Sequence, residues 1–132
     1  MICIRAYRYL APEILRQKGH GKAVDWWCLG VLLFEMLIGR PPFYSANHME
    51  MYNKICHDVL RFPQTAKISA EAKSLLRGLL KRDPDERLGG GVSDAEEIKS
   101  HPWFKSLDWR KVVNKEYVDK NRNDDNLVVV TH

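Results

Sequence analysis

Apolar positions along the chain recur at helical spacing in several short runs, with polar stretches between them. The longest run, Ala23 to Phe43, reads AVDWWCLGVLLFEMLIGRPPF. Val24, Trp27, Val31 and Phe34 make one stripe. Trp26, Leu29, Leu33 and Leu37 make a second, and Leu32, Met36 and Ile38 fill much of what is left. A helix that is apolar nearly all round is buried in a core or sits in a membrane. This one carries two charges, Asp25 near its start, where the helix dipole favours it, and Glu35 near its end. Gly39 stops the helix and Pro41-Pro42 forbid its continuation. A bilayer needs about 20 apolar residues, more than this segment offers, so a central core helix is expected and a membrane span is not.

Shorter helices flank it. Pro12 opens one that runs to about Arg16, and Gly19-His20-Gly21 is a loop. Met49, Met51, Tyr52, Ile55 and Cys56 predict a helix of about ten residues. Val59–Pro63 reads as extended. Ser69 is a good N-cap, and Ala72, Leu75, Leu76, Leu79 and Leu80 carry a helix to about Lys81, ended by Asp83-Pro84. Gly89–Gly91 is a turn. Ser93 with Glu96 makes a capping box that opens a helix to about Ser100. His101-Pro102-Trp103-Phe104 breaks it, and Asp108–Val113 forms a last turn. From Tyr117 onward the polar run DKNRNDDN is expected to be disordered. The chain is read as mainly α, with no internal repeat.

Composition narrows this little. At 132 residues, with 45% hydrophobic and 29% charged, the chain suits one soluble globular domain. The net charge of +4 is spread along the sequence, which favours a solvated surface over nucleic-acid binding. The three cysteines lack CxxC spacing, so a disulfide framework or zinc site is not expected and a reducing compartment is. The scattered histidines offer no metal ligands. Met1–Arg5 is too short an apolar stretch for a signal peptide. No Ser/His/Asp or Cys/His set stands out, and Gly89–Gly91 lacks the Lys and Ser/Thr of a Walker motif. Period and composition alone stop at a soluble helical domain.

Five motifs in order go further: Ala11-Pro12-Glu13, Asp25-Trp26-Trp27-x-Leu29-Gly30, Pro41-Pro42-Phe43-Tyr44, Leu80-x-x-Asp83-Pro84-x-x-Arg87-Leu88-Gly89 and His101-Pro102-Trp103-Phe104. Together they resemble the second half of the large lobe of a eukaryotic protein kinase. The DWW and RLG forms look like the AGC serine/threonine group, near the Akt and SGK kinases. The resemblance covers Tyr9 to Val118. It implies a truncated kinase C-lobe, the helical subdomain from the family's αEF to its αI, with a divergent segment at 1–8 and a tail at 119–132.

The resemblance also implies roles. Glu13 would form a buried ion pair with Arg87. Asp25 would hold the backbone of a catalytic loop, and Trp27 would be core. Glu35 would receive a substrate arginine upstream of the phosphorylated residue, with Tyr9 supporting it. Residues 44–57 would form a docking surface for substrates and regulators. The parent family binds ATP and magnesium, acts on basic Ser/Thr peptides or proteins and works in the cytoplasm or nucleus. The glycine-rich loop, VAIK lysine, HRD loop and DFG motif that place ATP, metal and catalytic base are absent from this sequence. No catalytic, cofactor-binding or metal residue is therefore assigned, and the chain alone is expected to be inactive. Sharp loss of resemblance at both ends reads as a gene-model boundary or splice variant. The alternative is a non-catalytic helical module binding kinase partners or basic peptides. Large apolar side chains left uncovered on the central helix would favour poor solubility.

Overall fold

The computed structural model describes residues 9–19 and 21–114. The segments read as 1–8 and 119–132, and the last residues of the kinase-like stretch, lie outside it. The elements in order are α1 (Pro12–Leu15), α2 (Ala23–Ile38), α3 (His48–His57), α4 (Ala70–Leu79), α5 (Ala95–Lys99), a 3-10 turn (Pro102–Phe104) and α6 (Trp109–Val113). No strand occurs among the described residues. The chain divides into two compact units, with the boundary between Lys99 and Ser100.

In the first unit the local chemistry explains each helix end. Pro12 sits in the first turn of α1, where a missing N–H costs nothing. Gly39 closes α2 with a φ of 94°, a conformation that suits glycine. Asn47 and Ser69 cap α3 and α4 through side-chain oxygens that accept from Glu50 N and Ala72 N at 3.1 Å each. The capping box expected at Ser93 takes another form. Asp94 has a φ of 45°, outside the helical range, and α5 starts only at Ala95. Asp94 is turned outward from the helix path because its carboxylate accepts from Trp26 Nε1 at 2.8 Å, with Lys22 Nζ 3.8 Å away.

The core forms where α2 meets α4. Trp27, Val31 and Phe34 of α2 gather with Leu76, Leu80, Phe43, Met51 and Ile55, all buried. Gly30 marks the crossing. A Cβ there would lie 2.8 Å from Leu79 Cβ and 2.9 Å from Leu80 Cδ2. Gly30→Ala gains helix propensity but overpacks a contact whose nearest atom is fixed to the α4 backbone. It is expected to destabilise the fold by about 1–3 kcal/mol in urea unfolding.

The sequence raised two expectations for α2, a helix buried all round and a helix with large apolar side chains left uncovered; the second holds, and α2 is buried on one face only. Leu32, Met36 and Leu37 are 45%, 72% and 41% exposed. The physical reason is that α4 and the α3 side cover the Trp27–Val31–Phe34 face, and no described element lies over the opposite one.

Two arginines fasten α3 at its C-terminal end, where carbonyls are left without intrahelical partners. Arg82 donates from Nε to Ile55 O at 2.7 Å and from Nη2 to Lys54 O at 3.1 Å, and also reaches Asp58 O. Arg16 donates to Cys56 O at 3.0 Å. The Arg82 guanidinium also lies 5.1 Å from the Phe43 ring centre. Partial burial draws its pKa below the ordinary arginine value. The second unit is held by aromatic contacts, with Trp103 edge-on to Phe104 at 4.8 Å and Phe104 at 5.2 Å from Trp109.

Candidate functional site

The residues singled out by sequence gather in two places along α2. At its N-terminal end Arg87 reaches into the core. Its Nη1 donates to Glu13 Oε2 at 2.7 Å and its Nη2 to Glu13 Oε1 at 2.9 Å, a two-pronged ion pair. The rest of the guanidinium is spent on backbone: Nη1 to Ala23 O at 2.8 Å, Nε to Lys81 O at 2.8 Å and Nη2 to Arg82 O at 3.2 Å. A guanidinium has five N–H donors, and these five bonds engage all of them. The side chains are 0% and 4% exposed. One arginine therefore ties α1, the start of α2 and the segment after α4 together.

Trp27 lies beneath this pair. The Arg87 guanidinium is 5.1 Å from its ring, and Phe43 stacks with it at 6.0 Å between ring centres. Trp27 Nε1 is buried without a hydrogen-bond partner among the described residues. Asp25 is exposed in the first turn of α2.

Toward the other end of α2, the Tyr9 hydroxyl donates to Glu35 Oε2 at 2.6 Å. Such short bonds are typical of a hydroxyl donating to a carboxylate. Tyr9 is held at a second point, where its carbonyl accepts from Cys28 Sγ at 3.4 Å. Cys28 lies on α2 two turns before Glu35, so the tyrosine is laid along the helix. Burial, with the carboxylates of Asp25 and Glu13 adding to it and Arg87 opposing, pushes the Cys28 thiol above its usual pKa. It stays a neutral donor at physiological pH.

Sequence reasoning missed a second feature on this side. A cleft of about 240 Å³ opens past the C-terminal end of α2, floored by Phe34 and Pro42 and ringed by Arg40, Lys54, Asp58 and Arg61. Arg61 Nη1 donates to both Asp58 oxygens, at 2.9 and 3.0 Å. That bond, first among its causes, holds the Asp58 carboxyl below the ordinary range. The GRPPF turn was read as a helix stop and as part of a family motif, and nothing in its spacing shows that Lys54 and Arg61 return to it.

In the glycine turn at 89–91, Gly89 and Gly90 pack against the fold while Gly91 is exposed. A Cβ at Gly89 would lie 2.6 Å from Ile98 Cδ1, and one at Gly90 would lie 2.2 Å from Pro84 O, which leaves no cradle for phosphate. Among the described residues no three His, Cys, Asp or Glu side chains come together in a way that could hold a metal ion.

A helical subdomain built on a buried Glu–Arg pair, with a Tyr–Glu pair along its central helix, defines a class, and the comparisons place it. The protein kinase domain family model matches residues 3–104, so the chain belongs to that family. It is 53% identical over 107 residues to human RAC-beta serine/threonine-protein kinase, covering 81% of this chain and 22% of that one. It is 57% identical over 108 residues to Protein kinase 2 of Dictyostelium discoideum, covering 82% of this chain and 22% of that one. Within the family it is Akt/SGK-like, of the AGC group. The chain spans about a fifth of the length of the curated relatives it matches. No described helix is long and apolar enough to cross a membrane.

Proposed function

We propose that this chain supplies the peptide-docking side of an ATP-dependent serine/threonine protein kinase, with Glu35 as the receptor for a substrate arginine. In this reading Tyr9 fixes the carboxylate's rotamer, Asp25 anchors a catalytic loop, and Glu13, Arg87 and Trp27 hold the platform. Basic Ser/Thr peptides are the substrates, and residues 44–57 are a surface for regulators. The chemical step, with ATP and magnesium, belongs to parts of a kinase whose residues are not in this sequence, and the chain alone transfers no phosphate.

The observation that carries the reading is the Tyr9–Glu35 hydrogen bond at 2.6 Å. It holds a half-buried carboxylate in place on a rigid helix, and a guanidinium recognises a fixed carboxylate through two parallel bonds. Glu35→Gln keeps the shape and removes the charge. It is expected to weaken binding of an arginine-containing peptide about tenfold to a hundredfold, the loss of one charged hydrogen bond. Tyr9→Phe is expected to weaken it only about threefold, since the charge stays and only its orientation is loosened. Fluorescence anisotropy with a labelled peptide measures both, and unchanged affinity in Glu35→Gln overturns the assignment.

A non-catalytic interaction module is the second reading. Tyr44 and Met49, 55% and 76% exposed on the α3 side, favour it. A partner bound through them would be lost on Met49→Glu while arginine-peptide binding persisted.

A further inference from the structure

We propose that the cleft between the ends of α2 and α3 takes an acidic side chain of the same peptide, two to four residues upstream of the arginine bound by Glu35. This rests on the Glu35 reading and adds a second requirement to it: the preferred segment carries both charges, in a fixed order.

The cleft has the shape and charge for a carboxylate. Phe34 is buried beneath it and Pro42 stiffens its wall, so the floor of the site is set before binding and only the long basic side chains need to order. Of its charged groups, Asp58 and Arg61 satisfy each other. Lys54 lies 3.6 Å from Glu50, beyond hydrogen-bond length, and stays partly available. Arg40 is exposed and has no hydrogen bond or ion pair among the described residues. It stands between this cleft and a neighbouring one of about 470 Å³ lined by Leu37, Ile38 and Pro63. The balance of the ring is positive. An uncommitted guanidinium at its mouth suits a carboxylate, which it can meet with two parallel bonds.

The order of charges follows from α2. In the proposed function Asp25 marks the end nearest the catalytic loop, and so the phosphorylated residue. A helix rises about 1.5 Å per residue, which puts Glu35 about 15 Å further along and the helix end at Ile38 nearly another turn beyond, with Arg40 just past the Gly39 stop. The cleft therefore lies on the far side of Glu35 from the reaction, which is upstream on the peptide. One turn is about 5 Å, or close to two extended residues, and side-chain reach widens the window to about four.

The test uses the full chain and three labelled peptides, identical except for Glu, Ala or phosphoserine three residues before the arginine. The Glu peptide is expected to bind about fivefold tighter than the Ala peptide, the upper range for a solvent-accessible ion pair, with the gap narrowing as salt is raised. Arg40→Ala is expected to erase the preference and Arg40→Glu to reverse it. Arg40 is solvent-facing, so neither change removes a core contact. Equal binding of the Glu and Ala peptides, with Glu35→Gln still weakening both, overturns this proposal and leaves the Glu35 reading intact. No effect of Glu35→Gln on any peptide overturns the reading beneath it. A preference that survives Arg40→Ala shows the cleft is misassigned, and tight binding of the phosphoserine peptide alone shows the ligand is phosphate and not carboxylate.

Discussion

Glu13→Ala is expected to cost about 3–5 kcal/mol of folding free energy, because it strands the Arg87 guanidinium in a site with 0% side-chain exposure. The loss is more than one hydrogen bond's worth, since Arg87 keeps its three backbone bonds and cannot swing out to water without breaking them. Against a typical domain stability of about 5–15 kcal/mol, this brings the chain close to unfolding under ordinary conditions. Pairing it with Arg87→Met, which removes the uncompensated charge, is expected to recover part of the loss, even though it gives up the three carbonyl bonds. Urea unfolding of the two single variants and the double variant measures the coupling. A Glu13→Ala loss below about 1 kcal/mol, the range of an exposed pair, contradicts the buried-pair account.

Trp27→Ala is expected to have a similar effect, about 3–5 kcal/mol, from the volume removed at the centre of the α2–α4 core. Trp27 is 0% exposed, and its ring is covered by Phe43 on one side and the Arg87 guanidinium nearby. The cavity would also open beside the ion pair, so the two losses are expected to couple and not to add. Trp27→Phe separates the contributions. It gives up area but also removes an indole N–H buried without a partner, which costs about 1–3 kcal/mol where it stands. Its net loss is expected to be well under half that of Trp27→Ala. Thermal or urea unfolding that shows Phe as costly as Ala would mean that the indole nitrogen has a favourable role.

How much could be read from sequence depended on how local the physics was. The boundaries of α1 to α4 follow from Pro12, Gly39, Ser69 and the apolar spacing, all local signals. The start of α5 was misplaced because Asp94 answers to Trp26 and Lys22, far away in the chain, instead of to its own turn. That the central helix would leave large apolar side chains uncovered was expected, but which ones was equally non-local. Leu32 and Met36 look like core residues in any helical pattern, and only the arrangement of neighbours shows that nothing described lies over them. Glu13 with Arg87 and Tyr9 with Glu35 were paired through motif resemblance, which carries long-range contacts that periodicity cannot. Arg40 and Arg61 lay outside those motifs and Arg82 at an unassigned position within one, so neither the basic cleft nor the clamp on α3 was visible until the fold brought them together.

The central claim is that Glu35, set by Tyr9, recognises a peptide guanidinium. A double-mutant cycle between Glu35→Gln in the chain and Arg→Ala in the peptide isolates that contact from the rest of the surface. The account predicts a coupling of about 1.5–3 kcal/mol in the binding free energies, the range of a hydrogen bond between charged groups. Additive losses, with a coupling near zero, would mean that the arginine binds elsewhere and would contradict it.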